Sequence, residues 1–516
     1  MIKVKKPTKE SKMSKVIMIQ GTMSNAGKSV VAAGLCRLFK QDGYKVAPFK
    51  SQNMALNSFV TPEGLEIGRA QAMQAEAAGI DPQAVMNPIL LKPTGDADSQ
   101  VILMGKPVAN MTAAEYYKMK PALVPEIKNA FKSLCHEFDI IVIEGAGSPA
   151  EINLKENDIV NMGMARLVNA PVLLVGDIDR GGVFAQLYGT YMLFEDWEKE
   201  LLAGMVINKF RGDKTLLEPG IDMMREKMEV PFLGVLPYIN FNLDDEDSLT
   251  KRFEKREPRE IDIAAIRLPR ISNYTDLDVF EQFSEVSVRY ITDKEELGSP
   301  DLIVIPGTKN TLEDLRWLKE RGLEGAIKEK VAKGTPVVGI CGGFQMLGEK
   351  ISDPLGVEAG GEEPGLGLLP METILAEEKT TKQVKGVFEN LEGTLASLNG
   401  TEYVGYEIHM GQTRKTGSKE TSAVPPNTGS KDKGEIISLA AGEVFGTYVH
   451  GVFDKEGVAG KVLDALASKK NISVNTKGAL GRKEYKEKEY DRLADMLREN
   501  LDMKKVYDLL REANID

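Results

Sequence analysis

The chain has 516 residues, of which 42% are hydrophobic and 28% are charged, and its formal net charge is −11 at pH 7. A chain of this length exceeds one hydrophobic core and predicts roughly two to four domains. The acidic balance argues against a nucleic-acid partner, which requires a basic surface, and no apolar run approaches the ~18 residues of a membrane helix. The cysteine spacing indicates neither a disulfide framework nor a zinc site, which is typical of a reducing cytoplasm.

Residues 1–15 are rich in lysine and are not followed by the apolar segment of a signal peptide, so they predict a disordered tail. Residues 16–20 then predict a buried strand, and residues 30–39 predict a helix. The loop between them reads Gly-Thr-Met-Ser-Asn-Ala-Gly-Lys-Ser, with one residue more between its glycines than the commonest phosphate-binding pattern has.

A loop of this kind surrounds phosphates with backbone N–H groups, while its lysine reaches the β and γ oxygens and its hydroxyl ligates Mg²⁺. The strand before it and the helix after it favour this interpretation over a chance match. The sequence therefore predicts an ATP site with Mg²⁺, bound by Gly21, Thr22, Asn25, Ala26, Gly27, Lys28 and Ser29.

Polar residues follow several later strands at their carboxyl ends, where open α/β sheets bind ligands. Gln52 and Asn53 follow a strand over 45–50, although ordinary turn chemistry explains such residues equally well. Glu144 ends a strand over 139–143 and is our predicted Mg²⁺ ligand. Arg180 would bind a phosphate or a carboxylate unless it forms a surface ion pair, and Asn208 would contact the nucleotide base.

About six strands that alternate with helices predict a mostly parallel, doubly wound α/β sheet over residues 16–240. Residues 241–260 carry runs of charge and predict an interdomain linker. A second α/β pattern covers residues 261–516. Within it, residues 413–435 are rich in Lys, Thr, Ser, Gly and Pro and predict a surface loop.

The second domain contains a strand over 336–340 that runs into a helix through Gly-x-Cys-x-Gly, with Cys341 at the turn. Such a turn exposes a nucleophile at a helix N-terminus, where the dipole favours the thiolate. The backbone N–H of Gly342 would stabilise an oxyanion, together with that of Gly307 or Thr308. The alternative is a buried, inert cysteine.

The chain has three histidines. His450 lies at a strand end after this turn and is our predicted general base for Cys341. His409 lies on a strand and would bind substrate, whereas His136 has the surroundings of a structural histidine. Because the carboxylate nearest to His450 in sequence is Asp454, we expect a Cys–His dyad without an orienting acid.

These motifs together resemble the cobyric acid synthase family of cobalamin biosynthesis, from about residue 16 onward. The first half is similar to dethiobiotin synthetase and the second to flavodoxin-like class I glutamine amidotransferases. Val452 stands where those amidotransferases usually have a glutamate after the histidine, as in the branch that lacks it. The resemblance is carried by residues 20–29, 50–57, 144–153, 177–184, 208–213, 306–311, 406–411 and 448–451.

The resemblance implies ATP- and glutamine-dependent amidation of the b, d, e and g carboxylates of adenosylcobyrinic acid a,c-diamide. ATP would convert each carboxylate to an acyl phosphate, and ammonia from glutamine would displace the phosphate. Asp158 is the carboxylate that we expect beside the acyl phosphate. Whether identical copies of the chain associate is left open.

Two alternatives remain. The first is the sister enzyme that amidates the a and c carboxylates of cobyrinic acid, which residues 51–57 disfavour. The second is a nucleotide-driven ATPase switch with an inactive amidotransferase-like domain, which the presence of both Cys341 and His450 disfavours.

Overall fold

A computed structural model describes residues 13–94, 98–239, 241, 243, 253, 255–416, 436–476 and 480–514. Most of the predicted tail 1–15, much of the predicted linker 241–260 and most of the predicted loop 413–435 lie outside the described residues. Among the residues described, no helix combines the length and the apolar character needed to cross a bilayer.

The first part of the chain alternates strands and helices. Its elements are β1 (Lys15–Gly21), α1 (Lys28–Gln41), β2 (Val46–Phe49), β3 (Gln52–Met54), β4 (Ser58–Val60), β5 (Glu66–Gly68), α2 (Arg69–Ala78), β6 (Ile89–Pro93), β7 (Asp98–Leu103), β8 (Lys106–Thr112), α3 (Ala113–Met119), α4 (Val124–Glu137), β9 (Ile140–Glu144), α5 (Met162–Val168), β10 (Val172–Asp177), α6 (Val183–Met192), α7 (Asp196–Leu201), β11 (Leu202–Phe210), α8 (Glu218–Arg225) and β12 (Phe232–Pro237).

The main sheet of this part has the order β12-β11-β10-β1-β9-β2, and all of these pairings are parallel. The central residues of its strands are mostly apolar because helices cover both faces. Along β1, Val16 and Met18 belong to one buried cluster, while Ile17 and Ile19 belong to the other. The parallel order brings the carboxyl ends of β1, β2, β9, β10 and β11 to one edge, where ligands bind in such sheets.

The second part repeats this architecture. Its elements are β13 (Ile261–Ile266), β14 (Val286–Ile291), α9 (Lys294–Leu297), β15 (Leu302–Ile305), α10 (Thr311–Glu320), α11 (Leu323–Ala332), β16 (Val337–Ile340), α12 (Gly342–Leu347), β17 (Lys350–Asp353), β18 (Gly361–Pro364), β19 (Met371–Val387), β20 (Glu402–Lys415), β21 (Ser438–Ala441), β22 (Val444–Thr447), α13 (Val458–Lys470), α14 (Arg482–Asn500), α15 (Met503–Leu509) and β23 (Arg511–Glu512).

Its main sheet has the order β14-β13-β15-β16-β22-β21, in which only β21 runs antiparallel. A smaller sheet with the order β18-β17-β19-β20 contains the long antiparallel pair β19 and β20. One buried apolar cluster fills this second part. The expected fold class, two α/β domains built on mostly parallel sheets, is confirmed.

The end of the chain returns to the first sheet, although the sequence assigns it to the second domain. Strand β23 pairs with the beginning of β1, and the buried face of α14 joins the cluster that contains α1. A Cβ added at Gly34 in α1 would lie only 2.4 Å from Leu497 Cδ1, so the two helices approach closely. The pattern of α14 indicates an apolar face, but it does not indicate which domain that face covers.

Candidate functional site

Cys341 occupies a tight turn between β16 and α12, with φ 52° and ψ −108°. This backbone conformation is strained for a residue other than glycine, by about 1–3 kcal/mol, and such strain is concentrated at functional sites. A Cβ added at Gly343 would lie 1.9 Å from Ile305 O, so the turn requires glycine after the cysteine. The Cys341 thiol lies 3.6 Å from Ile408 O on β20.

His450 follows β22, and Asp276 orients its ring. Nδ1 of His450 lies 2.7 Å from Oδ2 of Asp276, and the backbone N–H of Gly451 donates to Oδ1 of the same carboxylate at 2.7 Å. Both side chains are buried. The structure thus corrects the expected dyad, because a carboxylate does hold the histidine, although it lies far away in sequence.

Electrostatics favour the protonated imidazole. Burial alone would lower the pKa of His450, but the charge and hydrogen bond of Asp276 and a hydrogen bond with Cys341 outweigh it and raise the pKa to about 10. A protonated imidazole next to the sulfur can give its proton to a group that leaves during the reaction. Cys341, His450 and Asp276 therefore form an arrangement suited to nucleophilic attack on an amide.

The predicted oxyanion donors line the same space. A Cβ added at Gly307 would lie 2.9 Å from His450 Cε1, so the loop after β15 lies directly against the imidazole. A Cβ added at Gly342 would lie 3.1 Å from the backbone nitrogen of Thr308. The geometry does not distinguish between the backbone N–H groups of Gly307 and Thr308 as the second oxyanion donor. The donor role of either group stays a prediction.

His409 lies on β20, the strand that also presents Ile408 O to the cysteine. Its Nδ1 lies 2.8 Å from Gly411 O, its Nε2 lies 3.1 Å from Oε2 of Glu407, and its ring stacks on Tyr448. Because the partners of both ring nitrogens lie within β20 itself, these contacts hold the local conformation of that strand. Substrate binding by His409 stays a prediction.

The loop 21–29 joins β1 to α1, as predicted. Nζ of Lys28 donates to the carbonyl oxygens of Met23 and Gly147, at 3.1 and 3.0 Å. Asn208 Nδ2 donates to Ala26 O at 2.9 Å, so this side chain contacts the loop itself. The neighbouring Lys209, which the sequence reasoning did not single out, donates to Asn25 O at 2.5 Å.

Glu144 ends β9 and is the buried centre of a polar cluster. Its Oε1 accepts hydrogen bonds from Ser29 Oγ at 2.8 Å and from Lys50 Nζ at 2.9 Å. Its Oε2 accepts hydrogen bonds from Gln74 and, at 3.4 Å, from Gln71. Sequence reasoning missed Lys50 and both glutamines, since none of them has a spacing that marks such a contact.

Ser29 and Glu144 together suit Mg²⁺ but do not form a complete protein cage. Their oxygens are 2.8 Å apart, and oxygen is the ligand that Mg²⁺ prefers. Within the described part of the chain, no group of three or more His, Cys, Asp or Glu side chains could hold a metal ion. This fits an ion that keeps most of its coordination for water and phosphate oxygens.

A cavity of about 370 Å³ opens beside this cluster and joins three predicted segments. It is lined by residues of the loop after β1, of the segment after β2 and of the segment after β9, and by one residue between α3 and α4: Ser24, Asn25, Lys28, Lys50, Gln52, Asn53, Met54, Lys120, Ala146, Gly147, Ser148, Pro149, Glu151, Leu154, Lys155, Asp158, Val160 and Asn161. Gln52 and Asn53 therefore line the same cavity as Asp158, which lies far from them in sequence.

Asp158 has a structural task in this wall. Its carboxylate accepts hydrogen bonds from the backbone N–H groups of Val160, Asn161 and Gly163, at 2.8, 2.9 and 2.9 Å. These contacts position the start of α5, and the role of Asp158 beside a reacting group stays a prediction.

Arg180 lies on the exposed loop after β10 and outside this cavity. Its neighbour Asp179 pairs with Arg211 at 2.9 Å. The Asp–Arg surface pair that the sequence left open as an alternative is therefore present, but it involves a different arginine.

Comparison with known proteins relates both halves to described families. Residues 17–250 match the model of the CobQ/CobB/MinD/ParA nucleotide binding domain, and residues 262–458 match that of the CobB/CobQ-like glutamine amidotransferase domain. A protein named cobyric acid synthase from Lachnoclostridium phytofermentans is 55% identical over 515 residues, covering 97% of this chain and 100% of the relative. One of the same name from Ruminiclostridium cellulolyticum is 55% identical over 503 residues, covering 97% and 98%.

Among solved structures, a glutamine amidotransferase is 15% identical with a TM-score of 0.27, covering 41% of this chain and 99% of that one. The signal recognition particle receptor FtsY from Elizabethkingia anophelis, in complex with GDP, is 18% identical with a TM-score of 0.24, covering 46% and 59%.

The contact between Asp276 and His450 predicts the effect of Asp276→Asn. The amide no longer stabilises the imidazolium, so we expect glutamine hydrolysis to slow by about 10²- to 10⁴-fold. The measurement is glutamate release under saturating glutamine. Asp454→Asn is the matched control, because this carboxylate is closer to His450 in sequence, and it should change the rate less than about threefold. Equal losses in the two variants would contradict the assignment of Asp276.

The same pair predicts a pH-dependent contribution to stability. Because the pKa of His450 rises from 6.5 to about 10 on folding, the folded chain retains a proton that the unfolded chain releases in this interval. The stabilisation is complete below the lower value and is lost as the pH rises through the upper one. Urea unfolding should give a larger free-energy difference between wild type and Asp276→Asn at about pH 6 than at about pH 9.5. A difference independent of pH would contradict the shift.

Proposed function

The chain belongs to the cobyric acid synthase family, and on this premise we propose that its two domains divide the two halves of one amidation between them. It is a glutamine-hydrolysing ligase in which the second domain releases ammonia from glutamine and the first uses a nucleotide. The observation that carries the residue assignment is the contact of His450 with both Asp276 and Cys341, beside the strained turn.

In the second domain, the sulfur of Cys341 attacks the side-chain carboxamide carbon of glutamine. The carbonyl oxygen takes the negative charge, which the N–H groups of Gly342 and of Gly307 or Thr308 stabilise. His450 then gives its proton to the departing nitrogen. The nitrogen departs as ammonia, and a thioester remains on Cys341. Water attacks this thioester while His450 takes a proton from the water. Glutamate is released, and the thiol of Cys341 is regenerated.

In the first domain, ATP binds at the loop 21–29 and phosphorylates a substrate carboxylate. A carboxylate is a poor electrophile, whereas an acyl phosphate loses phosphate readily when ammonia attacks its carbon. Lys28 offsets the charge of the β and γ phosphates. Ser29 and Glu144 would hold Mg²⁺, which would further neutralise the charge of the phosphates.

We propose adenosylcobyrinic acid a,c-diamide as the acceptor, amidated at its b, d, e and g carboxylates. The cavity supports this proposal because it lies beside Lys28 and its volume of about 370 Å³ would admit one carboxylate-bearing side chain next to the expected γ-phosphate. Gln52 and Asn53 offer it hydrogen-bonding groups, and the side chain of Lys120, which is buried, offers it a charge. The setting in a reducing cytoplasm stays a prediction from the cysteine content.

The separation of the two centres predicts the effect of Cys341→Ser. Glutamine-driven amidation should fall by about 10³-fold or more, because a serine hydroxyl has no comparable anionic form at neutral pH. Amidation driven by added ammonium chloride should stay within about twofold of wild type, since Cys341 takes no part in it. The measurement is the product mass with each nitrogen source, and Cys135→Ser is the matched control. Loss of both activities in Cys341→Ser would contradict the division between domains.

The phosphate loop predicts a different pattern for Lys28→Ala. Without the ammonium group, phosphoryl transfer should slow by about 10²- to 10³-fold whichever nitrogen source is used. ADP formation and product mass measure the loss. Lys40→Ala removes a lysine from the other end of the same helix and should have little effect. Normal turnover of Lys28→Ala would contradict the assignment of the ATP site.

A further inference from the structure

Two hydrogen bonds join Asn57 and Ser58 of the first domain to Asn273 of the second domain. The backbone N–H of Asn273 donates to Oδ1 of Asn57 at 2.8 Å, and the backbone N–H of Ser58 donates to Oδ1 of Asn273 at 3.0 Å. Both asparagine side chains are buried. A reciprocal pair of this kind fixes two segments in both position and orientation, since a buried polar group left without a partner is costly.

The pair lies one turn away from the acid that orients the histidine. Asn273, with φ 52°, immediately precedes a 3₁₀ turn over Tyr274–Gln282. The N–H of Asp276 donates to Asn273 O at 3.3 Å, so the position of Asn273 sets the position of Asp276. The carboxylate of Asp276 in turn holds both Nδ1 of His450 and the N–H of Gly451.

The same segment of the first domain contacts the imidazole by a second route. The hydroxyl of Tyr406 donates to Ser58 O at 3.3 Å, and its ring stacks on His450 with centroids 5.4 Å apart. Phe59 also packs against Tyr406, edge to face, with ring centroids 5.2 Å apart. Residues 57–59 therefore support both the acid behind His450 and the ring stacked on it.

At its other end, this segment enters the nucleotide cavity. Lys50 donates to Glu144 at 2.9 Å, and Gln52 and Asn53 line the cavity wall. A stretch of nine residues, 50–58, thus extends from the predicted Mg²⁺ ligand to the Asn57–Asn273 pair. Covalent bonds and buried hydrogen bonds therefore connect the two centres through one short segment.

We propose that Asn57 and Asn273 are positioning residues that orient His450 from the first domain, so that glutamine hydrolysis depends on the segment lining the nucleotide cavity. This inference rests on the proposed function of Cys341 and His450. It gives the two centres a means of coordination, because glutamine hydrolysed while no acyl phosphate is present is wasted.

The test compares Asn57→Ala and Asn273→Gly with wild type. Each removes one of the two hydrogen bonds between residues 57–58 and Asn273, and glycine accepts the left-handed backbone of residue 273 without strain. We expect the kcat of glutamine hydrolysis, measured with ATP and the corrinoid diamide present, to fall about tenfold with KM changed less than about twofold. Ammonium-driven amidation should stay within about twofold of wild type.

Two further variants make the comparison specific. Asn57→Asp keeps the oxygen that accepts from Asn273 N–H, so it should restore most of the lost kcat. Asn471→Gly replaces another left-handed asparagine, φ 56°, at the exposed end of α13, and it should change nothing.

Unchanged kcat in Asn57→Ala and Asn273→Gly would overturn the proposal. A parallel fall of the glutamine- and ammonium-driven reactions would overturn it as well, because the pair would then support the fold in general. If Asn57→Ala does not fold, Asn273→Gly alone decides between these outcomes. Failure of the proposed function is distinguishable from failure of this inference. If the proposed function were wrong, glutamine hydrolysis would survive Cys341→Ser.

Discussion

The hydrogen bond between Asp276 and His450 connects the chemistry of the second domain with the architecture of the first. A buried imidazole would by itself lose its proton, and the charge of Asp276 reverses this tendency. The protonated ring then lies beside Cys341, whose strained backbone places the sulfur at the turn. Since the turn that carries Asp276 is held by Asn57, the reactivity of the cysteine depends on contacts across the domain interface.

The first domain depends on a second buried carboxylate. Glu144 gathers Ser29, Lys50 and two glutamines around the carboxyl end of β9, next to the loop that carries Lys28. Such a cluster is stable because the buried carboxylate of Glu144 is paired with the ammonium of Lys50 and accepts further hydrogen bonds. Lys50, a member of this cluster, also lines the cavity. We propose that the cluster orients the phosphate-binding groups before a nucleotide arrives, which would lower the reorganisation that the reaction requires.

The sequence predicts much of this arrangement because the relevant constraints are local. A strand, a glycine-rich loop and a helix specify the turn at Lys28, and glycines on both sides of Cys341 specify the turn there. Asp276 could not be predicted, since nothing in its surroundings distinguishes it and only the tertiary fold brings it to His450. The helices after residue 480 are a similar case, because an apolar face does not specify the surface that it will cover.

We propose that nitrogen passes from Cys341 in the second domain to the acyl phosphate in the first domain within one chain. The most direct measurement supplies glutamine labelled with ¹⁵N in its amide, together with unlabelled ammonium chloride in roughly tenfold excess, and determines the isotope content of each amide formed. We expect the amides to be enriched in ¹⁵N far above the ratio of labelled to unlabelled ammonia in the bulk solution. The reason is that ammonia released at Cys341 reaches the acyl phosphate before it mixes with solvent. Amides that carry the bulk ratio would contradict it.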